Sequence, residues 1–507
     1  MMGIDALSGY HPSMASELSP SLRNFFQSVV EASFSNPFGK RREEIDAQIL
    51  GTRRKLPHAE RSALLGQRVA QVIQQLEREG LAHLDRHAGE DRDRMEVGFL
   101  FLIYQESFAE LDAHIDRALA AAPSEGGDPI PFPGGARYLE QLRTWGFPAE
   151  EASRYLAICY QLRRAHRFID RGLVGRSAAM TELRRQLWNA AVSSDMRTYA
   201  KRLYDRMEDF STLLLGETGA GKGRAAAALG RSGFIPFDEK RGTFRESFTR
   251  AFLSTNLSQF PEALLPSELF GHRKGAFTGA IDDHDGIFQR CSPYGSILLD
   301  EIGEVSIPVQ IQLLRVLQER TFSPVGGTEE LRFRGRVIAA TNQSIDQRRE
   351  EGEFRDDFYY RLSSDVITVP PLRDRLREEP EERAILVEAL LERMLGGSDP
   401  ALIDRVLTAL DQGVPADYAW PGNVRELEQA IRRILLTKRY VPKRSTPDLP
   451  WASTDGDPDV KTVIGDYCVH LYRRSGNQAE VARTTGLDRR TVRKNLIERG
   501  EIGETSA

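Results

Sequence analysis

Cysteine is scarce: Cys159, Cys291 and Cys468 are the only three in 507 residues. They lie far apart with no metal-ligand spacing, which excludes a disulfide framework and leaves small core residues in a reducing compartment. Long apolar runs are missing too. The longest compact one, residues 97–104 (VGFLFLIY), is far short of the roughly 20 residues that a membrane-spanning helix requires. The first residues, MMGIDALSGYHPSM, lack a basic region followed by an apolar stretch, so no secretory leader is expected. A cytoplasmic protein with no membrane association is the expectation. Neither sign of charge dominates: 69 Lys and Arg against 74 Asp and Glu leave a net −5. That balance excludes a whole-molecule nucleic-acid coat but not a local basic patch.

What is present, 40% hydrophobic and 28% charged residues, is the composition of a soluble globular protein. The length exceeds what one core supports and suggests roughly three to four domains. From residue 18 to about 172 the pattern is helical. Leu64, Leu65, Val69, Val72, Ile73 and Leu76 recur at helical spacing, as on an amphipathic helix. A second helical run covers residues 95–121, then a Pro- and Gly-rich loop covers 123–135, and Pro148 sits where a proline starts a helix. His83 and His87 stand four apart, which on a helix would put two imidazoles on one face. Leu84 occupies the place where the zinc-protease motif needs Glu, so a solvated helix face is the preferred reading over a metal site.

Residues 212–215 read as a short apolar strand, followed by Gly216, Glu217, Thr218, Gly219, Ala220, Gly221, Lys222 and Gly223, then an alanine-rich helix from Arg224. Strand, glycine loop and helix is the context in which backbone N–H groups and a helix N-terminus wrap phosphates, with Lys222 reaching the β- and γ-phosphates. Position 223 carries Gly where the pattern has Ser or Thr for a magnesium ion. A second buried strand, residues 296–299, ends at Asp300 and Glu301. Asp300 would hold Mg2+ directly or through water, and Glu301 would orient and deprotonate the attacking water.

Between these two motifs lies Gly275, Ala276, Phe277, Thr278, Gly279 and Ala280, followed by Asp282, Asp283 and Asp285. Two glycines around an apolar Phe277 fit a tight exposed loop, and the bland alternative is a hairpin tip. Near the C-terminus, residues 440–460 are broken by Pro442, Pro447, Pro450 and Pro458 and read as a linker. Three short helices follow at about 461–472, 478–484 and 490–498, with a glycine turn before the third, a helix-turn-helix outline. Residues 461–500 hold nine Lys or Arg against four Asp or Glu, a net +5 in an acidic chain. That asymmetry is the electrostatic footprint of a DNA binder; a helical docking domain with a solvated basic face is the alternative.

The order of the glycine loop, the 275–280 hexapeptide and the acidic strand end resembles the sigma-54-dependent transcription activators, AAA+ ATPases that remodel the bacterial sigma-54 RNA polymerase holoenzyme. Members of that family often carry an acidic residue where this chain has Gly223, so water can complete the metal shell. The resemblance implies a multidomain chain. Residues 1–170 would be a mainly helical regulatory input domain, 171–373 the α/β P-loop core, 374–440 a helical lid, 441–457 a linker and 458–507 an all-α, Fis-type helix-turn-helix domain.

It further implies that Gly275, Ala276, Phe277, Thr278, Gly279 and Ala280 contact sigma-54. Thr341 and Asn342 would sense the γ-phosphate, and Arg425 would contact nucleotide from the lid. Asn256 would hold the catalytic Glu301 in check, although residues 233–250 make the interval before it longer than the common pattern. Arg355 and Arg361 would be arginine fingers acting across a subunit boundary, which implies a homo-oligomeric ring, a hexamer assembled from dimers. Arg489, Arg490, Thr491, Arg493 and Lys494 would meet double-stranded DNA at an upstream activating sequence. The cofactors are ATP and Mg2+, and the activity is ATP hydrolysis coupled to conversion of the closed promoter complex to the open one. Two other readings stand beside it: a ring ATPase that remodels a different protein or nucleic acid, and a non-hydrolysing DNA-binding regulator in which Gly223 marks a decayed site. Nothing in residues 1–170 names the input signal.

Overall fold

The computed structural model describes residues 16–52, 56–121, 127–397, 399–442 and 460–502. The chain divides into two compact units, Met1–Arg439 and Tyr440–Ala507.

The first unit opens with helices Pro20–Phe34, Lys40–Leu50, His58–Arg78, Gly89–Ala121, Gly135–Thr144 and Ala149–Gly172. Ser19 caps the first through its hydroxyl, with Pro20 at the first helical position, where a missing N–H costs nothing. The helix expected from Leu64 onward is His58–Arg78. It buries Leu65, Val69, Ile73 and Leu76 and leaves Leu64 exposed, a single apolar stripe. Gly98 lies at a close helix crossing, because a Cβ there would stand 2.6 Å from the Phe26 ring.

His83 and His87 do not share a helix face. They flank one 3-10 turn, Leu84–Arg86, because Leu84 is buried and its N–H bonds the Trp145 carbonyl at 2.9 Å. His87 is not solvated either: its ring nitrogens lie 3.3 Å and 2.8 Å from the Ser16 and Leu81 carbonyls.

A five-stranded, all-parallel sheet follows. Thr212–Leu215 pairs with Arg336–Thr341 on one side and Asp365–Thr368 on the other; Ser296–Asp300 and then the edge strand Phe252–Asn256 extend it beyond Arg336–Thr341. Both faces are covered, which is why the inner strands read as unbroken apolar runs. Leu213, Ile297, Leu299, Val337 and Ala339 join one core with helices Ile307–Glu319 and Asp356–Leu362. Leu214, Leu298, Ile338 and Ala340 join another with Ala178–Val192 and Lys222–Gly230.

The extra length at 233–250 is a structural element of its own. Phe237–Asp238 pairs antiparallel with Thr243–Phe244, and Ile235, Phe237, Phe244 and Phe248 belong to the core of the N-terminal helices. The Phe244 ring stacks on Tyr160 at 3.8 Å. Next to it, Arg164 of the Ala149–Gly172 helix is fully buried and donates to the carbonyls of Arg231 (2.7 Å) and Gly233 (2.6 Å). Gln161 donates to the Ser232 carbonyl at 3.0 Å. The C-terminal end of the 222–230 helix is therefore held by cationic and amide donors from the N-terminal helices, as the negative end of a helix dipole favours. Helices Leu372–Glu378, Glu382–Leu395, Pro400–Gly413 and Asn423–Thr437 complete the unit.

The second unit holds helices Val460–Ser475, Gln478–Thr485 and Arg489–Glu498 around Cys468, Val481, Val492 and Leu496. Gly486 closes the second helix at φ 70°, a left-handed conformation that glycine adopts freely. Asp488 caps the third by accepting from the Thr491 N–H (2.9 Å) and hydroxyl (2.7 Å). Of the linker prolines, Pro447, Pro450 and Pro458 lie outside the described residues.

Candidate nucleotide site

The glycine loop runs off the buried end of Thr212–Leu215 and turns into Lys222–Gly230, which begins at Lys222 rather than Arg224. Gly216, Gly219 and Gly221 take φ of 150°, 78° and 116°, conformations that a side chain would strain. At Gly219 a Cβ would also meet the Gly422 carbonyl oxygen at 2.2 Å, so the last lid helix approaches the loop over bare backbone. Gly223 differs: a Cβ there meets nothing within 4 Å. Packing does not demand glycine at this position; it withholds a side-chain ligand where there is room for one.

Lys222, Asp300, Glu301 and Arg425 line one cleft of about 400 Å³, with Gly219–Arg224, Val174, Arg375 and Arg393 around them. Asp300 ends its strand, and Glu301 follows in a left-handed conformation at φ 58°, the type of outlier that clusters at functional sites. Lys222 Nζ donates to the Gly216 and Glu217 carbonyls at 2.9 Å and 3.4 Å. Burial holds its ammonium below the ordinary lysine range, with Glu301 and Asp300 pulling the other way. Burial also lifts the Glu301 carboxyl above the ordinary range, against the pull of Lys222, a direction that suits a proton acceptor working near neutral pH. The donor set fits a nucleotide polyphosphate: glycine-loop amides, a buried lysine and arginines from the lid. One carboxylate at a strand end, Asp300, is available for a hard divalent cation, with no hydroxyl at 223 to assist it.

Asn342, just past the end of Arg336–Thr341, connects the two motifs. Its amide donates to Thr218 Oγ1 at 2.7 Å, and its backbone N–H lies 3.4 Å from Glu301 Oε2. Thr341 Oγ1 accepts from the Gln343 N–H at 3.0 Å. Asn256 and Asp300 are partners in register, yet the Asn256 side-chain oxygen accepts from the N–H and hydroxyl of Ser258 at 3.0 Å and 2.8 Å. Among the described residues it makes no hydrogen bond to Glu301. Arg355 and Arg361 are outside the lining of this chain's cleft. Arg355 forms a two-pronged pair with Asp357 (2.7 Å and 3.0 Å), and Arg361 donates to the Leu317 carbonyl at 2.9 Å.

Several groups at the cleft carry no signal in a linear reading. Glu382, fully buried, accepts from the Ser177 N–H (3.0 Å) and from the Arg176 N–H, and pairs with the buried Arg375 at 2.7 Å. Asn423, at φ 53°, accepts from the Leu372 N–H and donates to Glu217 and to the Thr218 carbonyl. Arg373 closes on Glu217 with two bonds of 2.6 Å and 2.8 Å, and with Asn423 it holds that carboxyl below the ordinary range. The bonds from Glu382 to residues 176 and 177, and those from Arg373 and Asn423 to residues 217 and 218, join the module's first residues and the glycine loop to the C-terminal helices across well over a hundred residues. Only Asn423, an asparagine beside Gly422, could have been flagged as a left-handed position.

The hexapeptide forms a compact projecting turn. The Gly275 N–H bonds the Ala280 carbonyl at 2.9 Å and the Ala280 N–H bonds that of Phe277 at 3.0 Å. At its base His272 and His284 form an antiparallel bridge, Asp283 accepts from the Lys274 N–H at 2.8 Å, and Arg273 pairs with Asp283 and Glu329. Phe277 is 37% exposed, with its edge on His272, and Ile281 is 75% exposed. Thr278 is exposed, as are Asp282, Asp283 and Asp285. In the second unit Arg489, Arg490 and Lys494 are exposed, Arg493 is half-buried and the Thr491 hydroxyl is committed to Asp488.

A parallel sheet with a glycine loop, an acidic strand end and a helical lid over one polar cleft defines a P-loop nucleotide-binding module of AAA+ type. Residues 187–368 match the Sigma-54 interaction domain family. The transcriptional regulatory protein ZraR of Klebsiella oxytoca is 34% identical over 339 residues, covering 64% of this chain and 68% of that protein. The Nif-specific regulatory protein of Azotobacter vinelandii is 40% identical over 240 residues, 46% of this chain and 42% of that one. The crystal structure of NtrX from Brucella abortus in complex with ADP covers 72% of this chain and 80% of its own at 22% identity, with a TM-score of 0.41. The chain belongs to the sigma-54-dependent transcriptional activators. Among the described residues no helix is long and apolar enough to cross a membrane.

Proposed function

We propose that this activator hydrolyses ATP with Mg2+ in the cleft and uses the cycle to move the 275–280 loop against the sigma-54 RNA polymerase holoenzyme, converting the closed promoter complex to the open one. The observation that carries the reading is the convergence of Lys222, Asp300, Glu301 and Arg425 on one cleft in a chain that also projects Phe277 and Thr278 into solvent. Lys222 and the amides of residues 216–223 bind the phosphates, Asp300 holds the metal, and Glu301 takes the proton of the attacking water. Mg2+, when bound, supplies charge to the phosphoryl oxygens. Asn342 and Thr341 report the γ-phosphate, Arg425 reports nucleotide from the lid, and Asn256 restrains Glu301 in another phase of the cycle. Arg355 and Arg361 serve the neighbouring subunit's cleft, so the working form is a homo-oligomeric ring, a hexamer assembled from dimers. Arg489, Arg490, Thr491, Arg493 and Lys494 hold that ring at an upstream DNA site in the cytoplasm.

A second reading, a regulator that binds nucleotide without hydrolysing it, is favoured by Gly223 alone. Steady-state hydrolysis and nucleotide binding by the full chain separate the two. Glu301→Gln should lower the hydrolysis rate by about a hundredfold or more while leaving ATP binding within about threefold; Lys222→Ala should lose binding. Tight ATP binding by the natural chain with no turnover, alone and with the holoenzyme, would favour the second reading.

A further inference from the structure

A cavity of about 150 Å³ lies where the N-terminal helices meet the nucleotide module. Leu100, Phe101, Tyr155 and Ile158 form its walls on the N-terminal side, and Trp188 and Met196 on the module side. A smaller space of about 50 Å³ shares Pro37, Arg42, Tyr104 and His166 with it and ends at Arg61, Asp46, Ser62 and Gln105. The large chamber is apolar and rich in aromatic rings. Its carboxylates are occupied within the chain: Glu96 accepts from the Tyr155 hydroxyl at 2.6 Å, and Asp93 pairs with Arg197 at 3.2 Å. The small chamber is polar. Arg42 and Arg61 share the buried carboxylate of Asp46 at 2.7 Å and 3.2 Å, Arg42 also donates to the Ala32 carbonyl at 2.9 Å, and Arg61 meets the exposed Glu43 at 3.3 Å.

An apolar cavity of about 150 Å³ accepts one benzene-sized ring, and two guanidiniums that share one buried carboxylate, the other carboxylate being the exposed Glu43, are suited to one more anion in place of solvent. We propose that these joined chambers are an effector site for a small aromatic acid, with its ring among Phe101, Leu100 and Trp188 and its carboxylate at Arg42 and Arg61. The site touches the motor directly. The 178–192 helix carrying Trp188 shares a core with Ala225, Ala226 and Leu229 of the phosphate-loop helix. The same Ala149–Gly172 helix that supplies Tyr155 and Ile158 holds the end of that helix through Gln161 and Arg164. Occupancy therefore bears on the position of the phosphate loop, and residues 1–170 acquire a class of signal.

The test uses the full chain, titrated calorimetrically with benzoate, with toluene and acetate as separate arms, while tryptophan fluorescence is followed. Benzoate should bind saturably with one site per chain, and acetate should not. Two cavity-filling variants, Leu100→Trp on the N-terminal wall and Ala200→Leu on the module wall, should abolish benzoate binding with unchanged circular dichroism, so misfolding of one leaves the other to decide. Arg61→Gln should weaken benzoate about tenfold or more and leave toluene binding unchanged. No binding of benzoate by the folded chain up to about 10 mM, or binding that survives both filled variants, would overturn the site. Toluene binding without benzoate binding would overturn the acid. Binding does not depend on the hydrolytic reading: loss of ATP turnover with benzoate binding intact would count against the proposed function and not against this site.

Discussion

Phe244→Ala is the most informative perturbation of the fold, because it separates a surface insertion from a structural tie. Phe244 is 2% exposed and stacks on Tyr160 at 3.8 Å, with Phe237 at 5.2 Å, His114 at 5.5 Å and Phe132 at 5.8 Å. The backbone beside it is also engaged, since the Phe132 N–H bonds the Gly242 carbonyl at 2.8 Å. Truncating a fully buried phenylalanine costs about 3–5 kcal/mol, of which the lost stacking accounts for about 1. The chain has several cores and is not expected to unfold in one step, so hydrogen exchange is the assay. The slowest amides of helices Gly135–Thr144 and Ala149–Gly172 should lose protection by about a hundredfold to a few thousandfold, whereas amides of Ile307–Glu319 on the far face of the sheet should change little. A loss below about fivefold in the N-terminal helices would mean that the 233–250 hairpin merely rests on them, and would refute the packing argument.

Two further outcomes follow from single residues. His114 is enclosed by Phe132, Tyr160 and Phe244, and burial, aided by Arg117, pulls its pKa down to about 4. The unfolded chain takes up that proton near pH 6.5, so stability is fully present above about pH 6.5 and is lost progressively towards about pH 4, by on the order of 3 kcal/mol in all. Exchange protection of the N-terminal helices should fall between pH 7 and 5, and His114→Leu should remove most of that dependence; an equal fall in the variant would assign it elsewhere. Arg490→Ala should weaken duplex binding about tenfold across sequences and reduce the salt slope by about one. Fluorescence anisotropy at several salt concentrations reads both, and an unchanged slope would remove Arg490 from the DNA contacts.

The sheet was legible because its inner strands are buried on both faces, so the runs at Leu213, Ile297–Leu299 and Val337–Ala340 stand out without any period. Asp300 and Glu301 were legible for a related reason, because they sit at the end of such a run, where a polar residue interrupts an apolar one, and Lys222 was legible because it closes the glycine loop between strand and helix. The loop at Gly275 to Ala280 was marked by an aromatic between glycines that no amphipathic pattern could place in a core. What escaped was long-range. Glu382 and Arg375 resemble ordinary helix-surface charges until the fold brings Glu382 to the N–H groups of Arg176 and Ser177 and Arg375 to the Val174 carbonyl. The hairpin at Phe237 and Phe244 registered only as excess length, because two-residue strands are too short to show alternation. His83 and His87 misled for the opposite reason, since helical spacing means nothing once Leu84 is drawn inward and the backbone takes a single turn.

The account rests on a division of labour between the cleft and the projecting loop, and one substitution tests it. Thr278 is exposed at the tip and stands apart from the lining of the cleft. Thr278→Ala in the full chain, assayed side by side for ATP hydrolysis and for open-complex formation by sigma-54 holoenzyme at a promoter, should keep hydrolysis within about threefold and lose open complexes by about a hundredfold. Equal loss of both activities, or open complexes formed at the natural rate, would contradict the claim that this loop is where the motor meets its partner.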